Sequence, residues 1–331
     1  MEFREAALAG LRALLAVPEA GLAEAARGLI ASGCIWDVSH PAPPLVGPEA
    51  VVEGFLLPLR RALTAVQRRD NLFIGGPNRR AEGGEWVAAS GHYMGNHRGA
   101  LWGVLPSGRL AFLRAGEFYR IEGGRITTAR IILDLPDLMR QAGRMPFPFS
   151  YGTEGIFPAP ATQDGILPRG GNGAAALDLV ERMLGALHVF DPATFGSAEQ
   201  TGQGGTWADD MAWYGPCGIG ANYLWDGFVK DHRESFLRAF PDRKGGNHYC
   251  RIGDGDYAAV SGWPSMTMTH QGEYLGVPPD GRALTLRVMD FYRCAAGRIA
   301  ENWVHLDYMH LMAQMGVDLI ARQHRLASVK R

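Results

Sequence analysis

The sequence predicts an α+β fold built twice, each copy combining N-terminal helices with a mainly antiparallel sheet. Two observations predict it. In each half of the chain, segments with helical spacing of apolar residues come first, and a run of strand-like segments at hairpin spacing follows. The two halves also repeat one another at a constant offset, which indicates a duplicated domain. No GxGxxG motif follows a strand and no GxxxxGK[ST] motif occurs, which argues against a parallel nucleotide-binding fold.

The repeat consists of short matched segments separated by 173 residues, as Asp134 and Asp307 show. The matched pairs are His97 and Gly99 with His270 and Gly272, Gly108-Arg109 with Gly281-Arg282, Phe118-Tyr119-Arg120 with Phe291-Tyr292-Arg293, Gly124-Arg125-Ile126 with Gly297-Arg298-Ile299, and Gln141 and Gly143 with Gln314 and Gly316. This spacing is far longer than the repeat unit of a solenoid, so each half is expected to be a domain.

Composition and charge describe an ordinary globular protein. The chain has 331 residues, enough for two domains, and its 47% hydrophobic and 20% charged residues are typical of a globular fold. A formal net charge of −1 gives no electrostatic attraction to nucleic acids or anionic membranes. The four cysteines lack metal-binding spacing, and we expect them to be small buried residues. The N-terminus lacks the apolar core of a signal peptide and no segment is apolar enough to span a membrane, so we expect a cytoplasmic protein.

The elements of the first half follow from its apolar spacing and its breakers. Pro18 separates the first two helices, and Pro48 opens the third, where a missing N–H costs nothing. We predict helices over 3–17, 19–32, 48–63 and 135–142, an extended segment over 36–40, and strands over 67–75, 85–97, 109–122 and 125–134.

Residues 144–173 are rich in proline and glycine and predict a linker between domains 1–143 and 174–331. The linker also carries aromatic residues such as Phe147 and Phe157, so we expect it to pack across one domain and to cover a pocket mouth. The second half repeats the plan of the first and ends in a C-terminal extension. We predict helices over 174–190, 223–240 and 308–315, an extended segment over 207–214, and strands over 247–253, 256–270, 283–295 and 298–307.

The last predicted strand has an unusual face. Side chains alternate between the two faces of a strand, so Glu301, Trp303, His305 and Asp307 share one face. Val304 on the other face indicates the packed side. The acidic and aromatic face then lines a cavity or faces solvent, and an indole favours the cavity.

Each half resembles the SnoaL-like polyketide cyclases, within the nuclear-transport-factor-2-like superfamily. The resemblance covers most of the second half and, with gaps, residues 36–143 of the first. In the second half it rests on Asp209 to Pro216, Ala239 to Asp242, Thr269 to Gly276, Pro279 to Arg282, Gly297 to Ile299, Glu301, Trp303, Asp307, Gln314 and Gly316.

This resemblance implies a curved sheet wrapped on helices to form a cone with an apolar pocket. It also implies that Asp307 acts as the acid/base in an intramolecular aldol ring closure, with His270 as a helper and with neither metal nor organic cofactor. The expected partner is a hydrophobic small molecule, with no nucleic acid and no membrane. Family members often form homodimers, so we expect the duplication to place a pseudo-dimer in one chain, with a homodimer of the whole chain as a further option.

Two interpretations of Asp307 stay open. Desolvation in an apolar pocket would raise its pKa toward that of a useful base. Aspartate is also a preferred N-cap, and Asp307 directly precedes a predicted helix. His305 could orient this carboxylate or donate to an oxyanion, whereas His270 could be either a second polar group in the cone or a turn histidine.

The first domain departs from the pattern. Asp134 matches Asp307 and His97 matches His270, but Arg130 stands where the second domain has Trp303. An arginine near the site would hold Asp134 ionised and lower its basicity. We therefore expect a degenerate site here, made of Asp134, His97 and Arg130, that supports the second domain.

The pocket wall of the second domain is expected to be aromatic and thioether-rich. The candidate residues are Trp303, Trp213, Tyr214, Tyr223, Trp225, Met266 and Met268, each of which could also be plain core. Glu301, His305 and Asp307 resemble metal ligands in type, but one strand cannot surround an ion with three ligands, so no metal is expected.

The sequence therefore predicts a cofactor-independent enzyme that performs cyclase, isomerase or lyase chemistry on a hydrophobic carbonyl compound. Asp307 is the expected base, with His305 and His270 as helpers. One alternative is a non-catalytic protein that binds small molecules with the same fold. Others are an epoxide hydrolase or dehydratase, which needs an Asp/Arg/Asp relay, and a purely structural or protein-binding role.

Overall fold

The computed structural model describes residues 3–187, 189–197 and 205–329, and each half of the chain forms its own six-stranded sheet. The elements of the first half are α1 (Phe3–Ala16), α2 (Glu19–Leu29), β1 (Ile30–Val38), β2 (Leu45–Val46), α3 (Gly47–Val51), α4 (Leu57–Ala62), β3 (Leu63–Pro77), β4 (Glu85–His97), β5 (Leu110–Glu122), β6 (Arg125–Leu133) and α5 (Leu135–Gln141). A π-helical turn (Val52–Leu56) joins α3 to α4.

The second half repeats this order. Its elements are α6 (Ala174–Ala186), β7 (Trp207–Tyr214), β8 (Ala221–Tyr223), α7 (Leu224–Phe228), α8 (Glu234–Ala239), β9 (Cys250–Asp254), β10 (Tyr257–Thr269), β11 (Ala283–Ala295), β12 (Arg298–Leu306), α9 (Tyr308–Gln314) and α10 (Leu319–Val329). A π-helical turn (Val229–Arg233) again joins the two short helices α7 and α8.

Both sheets have the same topology. The strand orders are β2-β1-β6-β5-β4-β3 and β8-β7-β12-β11-β10-β9. All neighbours pair antiparallel except β1 with β6 and β7 with β12, which are parallel. The predicted α+β class with two tandem, mainly antiparallel domains is confirmed.

The predicted boundary between the second helix and the first strand is wrong. The second helix was expected to reach residue 32, but α2 ends at Leu29 and β1 begins at Ile30. From there Cys34, Trp36 and Val38 are buried at alternate positions, as in a strand with one face on the core. The apolar spacing of a helix and of a strand overlap at such a junction, so periodicity alone placed the boundary too late.

The two sheets pack against each other on the faces that point away from their helices. A continuous apolar layer joins them, with residues such as Trp86 and Phe118 from the first half against Phe291 and Trp303 from the second. The rings of Phe118 and Phe291 lie 5.6 Å apart. Every strand in this region is therefore buried on both faces.

This arrangement corrects the expected orientation of β12. Trp303 and His305 point into the layer between the sheets, and Val304 and Leu306 point toward the helices. The prediction had assumed one packed face and one face free for a pocket. Because the first sheet covers this face of the second sheet, Trp303 and His305 are interface residues. Val304 and Leu306 face the interior of the cone.

The linker is bonded to both sheets. The backbone N–H groups of Tyr151, Gly152 and Thr153 donate to carbonyls in the segment 218–221, next to and within β8. Further along, Phe73 of β3 donates to Gly165 and its carbonyl accepts from Leu167. The linker thus bonds to one edge strand of each sheet, β8 and β3, rather than packing on one domain alone.

Candidate active site in the second domain

A cavity of about 90 Å³ lies inside the second cone, between its helices and the inner face of its sheet. Most of its wall is apolar, and a few polar side chains project into it. The lining residues are Met183, Leu184 and Leu187 of the α6 region, Phe228, His232 and Phe236 of the helix pair, Trp207 and Trp213 of β7, Gly246 and His248, Ser265 and Met266 of β10, Leu286, Val288, Asp290 and Tyr292 of β11, and Asn302, Val304 and Leu306 of β12. An apolar cavity with few convergent polar groups is the usual form of a small-molecule site.

Asp290 is the single carboxylate among the described residues that line this cavity. Burial raises its pKa to about 7, and hydrogen bonding with Asn302 and Tyr292 acts in the opposite direction. The amide of Asn302 is held in place because its Nδ2 also donates to the Phe291 carbonyl at 3.0 Å. Asp290 is therefore positioned to exchange a proton near neutral pH.

His232 faces the cavity from the π-helical turn between α7 and α8. Its imidazole is stacked on the Trp213 ring, with centroids 4.5 Å apart and planes 17° apart. Phe228 and Phe236 contact it from the same helix pair. Burial, with Arg233 and Arg243 nearby, lowers the pKa of His232 to about 3, so the ring is neutral at neutral pH.

His248 lies at another part of the wall. Its Nδ1 accepts a hydrogen bond of 3.1 Å from Nε of Arg251, which leaves the proton of the neutral ring on Nε2. Burial lowers its pKa to about 3. With Ser265, His248 gives the cavity further polar contacts besides those around Asp290.

The first cone has the same layout but is filled. Glu117 occupies the place of Asp290 in the repeat, and Phe55 occupies the place of His232 in the π-helical turn. Trp36, Tyr93 and Tyr119 fill the space around them. A gap of about 10 Å³ lies beside Glu117, which is too small for an organic ligand.

The Glu117 carboxylate is also bonded by its neighbours. Arg68 of β3 lies 2.5 Å from its carboxylate and 2.6 Å from that of Asp70, and Tyr93 donates to it from β4. These contacts occupy the Glu117 carboxylate. The first cone therefore keeps an acidic residue but lacks both the cavity and the unpaired carboxylate of the second cone.

The difference between the cones originates in the strand after the helix pair. In the first half β3 pairs with β4 along Leu63–Pro77 and carries Arg68 inward. In the second half only Cys250–Asp254 forms a strand, and residues 241–249 are irregular. Arg243 of this segment instead donates to the Leu187 carbonyl at 3.2 Å, so no guanidinium reaches Asp290 among the described lining residues.

Asp307, the residue expected to be the base, lies outside this cavity. Its carboxylate accepts from the backbone of His310 at 3.0 Å and so caps α9, which matches the N-cap interpretation. It also lies 3.2 Å from Arg287 and 3.3 Å from the backbone N–H of His40, which belongs to the first half. Burial raises its pKa.

Asp134 has the mirror arrangement. It caps α5 through the backbone of Asp137, lies 3.2 Å from Arg114, and accepts at 3.0 Å from the backbone of Cys217 in the second half. Burial raises its pKa to about 6. Each aspartate is thus bonded to the other half of the chain. Its predicted neighbour Arg130 is elsewhere, with its guanidinium 3.8 Å from the centre of the Tyr249 ring.

The predicted histidines are also separated from the cavity. His305 is buried between the sheets, where its Nε2 lies 2.9 Å from Oγ of Ser90, and burial lowers its pKa well below the usual range. His270 and His97 are fully buried at the ends of β10 and β4. The backbone of each bonds the hairpin that follows, as the interpretation as turn histidines expects.

Two of the seven predicted wall residues, Trp213 and Met266, line the cavity. Trp303 and Tyr214 contact each other on the interface side, and Trp303 Nε1 donates to the Pro158 carbonyl in the linker. Trp225 packs on Trp207 and Phe228 behind the wall, Met268 is in the core, and Tyr223 is 60% exposed. None of the described lining residues belongs to the linker, so the expected cover of a pocket mouth is not found at this cavity.

The sequence contains a signal for Asp290 that the alternation on the last strand does not show. Within 283–295 every second residue is apolar or aromatic from Leu284 to Cys294, apart from Asp290. An acid on the inward face of an otherwise apolar strand is costly without a function or a partner. The matching Glu117 of the first half carries the same signal.

One group of three described side chains has metal-ligand character. Ligand atoms of Asp137, Glu154 and Cys217 lie within 4.8 Å of one another. Asp137 is already bonded by Arg140, and burial raises the pKa of the Cys217 thiol well above its usual value. These contacts make the group a poor metal site. All four cysteines are buried and unpaired, as expected.

Comparison with known proteins gives one family. Residues 79–142 and 226–315 match the family model for SnoaL-like polyketide cyclase. No curated protein matches the chain. Among the helices that the structure describes, none has the length and apolar character to cross a membrane.

Several solved structures are similar to part of the chain. AclR, a proposed hydroxylase from Streptomyces galilaeus, is 24% identical with a TM-score of 0.35, over 44% of this chain and 87% of that one. IdmH, a proposed polyketide cyclase from Streptomyces antibioticus, is 24% identical with a TM-score of 0.33, over 43% and 99%. A proposed SnoaL-like polyketide cyclase from Jannaschia Sp. CCS1 is 16% identical with a TM-score of 0.36, over 45% and 96%.

Proposed function

Because the chain is a tandem protein of the SnoaL-like polyketide cyclase family, we propose that its second domain is an acid/base enzyme acting on a hydrophobic carbonyl compound, with Asp290 as the base. The observation that carries this proposal is a lone carboxylate in an apolar cavity, with its pKa raised to about 7 by burial. Cyclisation, isomerisation and lyase reactions of such compounds all begin with removal of a proton next to a carbonyl.

The proposed reaction consists of proton transfers and one electron-pair shift. The Asp290 carboxylate takes a proton from the carbon next to a carbonyl. The C–H electron pair forms a C=C bond and the carbonyl π pair moves to oxygen, giving an enolate. In an isomerisation the Asp290 carboxylic acid returns the proton to another carbon. In an aldol closure the enolate carbon attacks a second carbonyl, and Asp290 gives the proton to the new alkoxide.

The first domain is proposed as a support for the second. Its acid, Glu117, is paired with Arg68 and its interior is filled by aromatic rings. This extends the expectation of a degenerate first site, with Glu117 rather than Asp134 as the residue that lost its function.

Asp307 is the alternative base. Its pKa is also raised by burial, but its carboxylate already accepts hydrogen bonds from two backbone groups and lies beside Arg287. A carboxylate with these contacts is less free to take a substrate proton. We therefore place the chemistry at Asp290 and a positioning or structural role at Asp307.

Proton NMR in D2O tests the assignment with β-dicarbonyl and aromatic polyketide-like compounds. We expect wild type to exchange the α proton for deuterium and Asp290→Asn to slow this exchange at least a hundredfold, a typical loss for a general base. Asp307→Asn should keep the exchange in the folded fraction. If exchange is instead lost in Asp307→Asn and kept in Asp290→Asn, the catalytic site lies at Asp307, at the interface between the two halves.

Non-catalytic binding is the second candidate, and the apolar wall of the cavity favours it. Line broadening of a compound with no exchange in any variant would support it. An epoxide hydrolase relay is less well supported, since no arginine is among the described residues that line the cavity.

A further inference from the structure

We propose that His232 is a second catalytic residue, a neutral hydrogen-bond donor to the substrate oxygen on which negative charge develops. This inference rests on the proposed function, because it supplies the partner of Asp290 in the same cavity. His232 lies on the helix side of the cone, where the sequence pattern indicates no candidate residue.

The ring of His232 is held in one orientation. Trp213 covers one face at 4.5 Å, and the rings of Phe228 and Phe236 contact it from 5.4 and 5.5 Å. A group fixed in this way loses little freedom when a ligand arrives, which is what a preorganised oxyanion donor requires.

A polar atom of this ring has no protein partner. Nδ1 of His232 is buried, and no hydrogen bond to it occurs in the described part of the chain. Leaving a buried imidazole nitrogen unpaired costs free energy, and His232 carries this cost at the wall of the cavity. By contrast, His248 has its Nδ1 bonded to Arg251.

The charge state suits donation. The imidazole is neutral at working pH because of burial and the nearby Arg233 and Arg243. A neutral imidazole carries one N–H and can donate it to an enolate without losing a proton at an earlier step. Asp290 on the sheet and His232 on the helices then act on a flat ligand from two walls of the cavity.

The closed first domain provides an internal comparison. At the matching position of its π-helical turn stands Phe55, a ring of similar shape with no donor. The pair Glu117 and Phe55 therefore lacks both the free acid and the donor, whereas Asp290 and His232 keep both. The substitution His232→Phe gives the second cone the side chain that its counterpart already accommodates.

Binding of substituted phenols tests the donor without requiring turnover. A phenol is planar, and its oxygen imitates the enol or enolate oxygen. In Asp290→Asn the amide replaces the protonated base, so this variant is the parent. We expect phenols to bind the parent, to bind Asp290→Asn/His232→Phe at least tenfold more weakly, and to bind Asp290→Asn/His232→Gln within about threefold of the parent, because glutamine keeps a donor.

Imidazole N–H NMR gives the second readout. A resonance that moves downfield on phenol binding should be absent from His232→Phe and unchanged in His324→Phe, a substitution of an exposed histidine on α10. Near-UV circular dichroism verifies that each variant is folded. Equal phenol affinity with and without the His232→Phe substitution, or no phenol binding to the folded parent, would overturn the proposal.

This design separates the two proposals. If no carbonyl compound exchanges its proton but the phenol results hold, the reaction is wrong and the donor is right. If exchange depends on Asp290 while His232→Phe changes neither phenol affinity nor the N–H resonance, the reaction stands and the donor is elsewhere.

Discussion

Burying a charged carboxylate inside an apolar cone lowers the stability of the folded state, and for Asp290 this loss of stability depends on pH. Its pKa in the folded protein is raised to about 7 by burial, whereas an unfolded aspartate has the ordinary value of 3.8. The folded state therefore binds more protons between these two values. The stability that this group contributes is present at low pH and is lost as the pH rises through about 7.

The Asp290→Asn variant should show this dependence. At pH 8 we expect its free energy of unfolding to exceed that of wild type by about 2 kcal/mol, which is less than the full shift implies because the carboxylate faces a cavity. At pH 4.5 the difference should shrink toward zero. Urea unfolding at both pH values measures it, and an equal difference at the two pH values would contradict the raised pKa.

At the scale of single residues, the predicted face of β12 packs against the other sheet, and the cavity that we propose as the site lies on the opposite face. The repeat placed attention on the second domain, and Trp213 and Met266 do line its cavity. His305 could not be placed from alternation alone, because alternation assigns residues to two faces without indicating what covers each one. The covering group is another sheet from the distant half of the chain.

At the scale of elements, close approach of the two sheets depends on small side chains. Gly116 of β5 lies opposite His305 of β12, and a Cβ added at Gly116 would be 2.5 Å from Cδ2 of that ring. The ring cannot easily move away because its Nε2 lies 2.9 Å from Ser90 Oγ. Glycine is therefore needed at this point of the interface.

The Gly116→Ala variant should lose about 1–3 kcal/mol of unfolding free energy, the usual range for overpacking a core. Gly28→Ala is the matched control, because an added Cβ there has no neighbour within 4 Å and the site lies in α2. It should be neutral or slightly stabilising. Denaturant midpoints measure both, and an unaffected Gly116→Ala would mean that the sheets can move apart at low cost.

Helices and strands were predictable over most of the chain because their apolar periods are long and regular. The irregular structure of residues 241–249 could not be predicted in this way. The first half continues as a fifteen-residue strand at the corresponding place, and only the second half replaces it with an irregular segment. Local spacing does not reveal this difference. In the first half Arg68 pairs with Glu117 across the sheet, a contact between residues that are distant in the sequence.

At the scale of the whole molecule, the layer between the sheets makes the two halves one folding unit. Trp303 is fully buried in this layer, and its indole donates to the linker at Pro158. We expect one cooperative thermal transition. Trp303→Ala should lower the unfolding free energy by about 3–5 kcal/mol, the usual cost of removing a large buried aromatic residue.

Differential scanning calorimetry distinguishes this from independent domains. A single transition that moves to lower temperature in Trp303→Ala fits one cooperative unit. Tyr223→Ala, a substitution of an exposed residue, should leave the transition in place. Two separate transitions in wild type would contradict the shared core.

The reciprocal bonds of Asp134 to Cys217 and of Asp307 to His40 have an evolutionary consequence. In an assembly of two identical chains every substitution occurs on both sides of the contact, so neither copy can specialise alone. Covalent fusion fixes the ratio of the halves at one to one and frees their interiors to diverge. Phe55 and His232 show such divergence, while the aspartate contact to the other half is present in both copies.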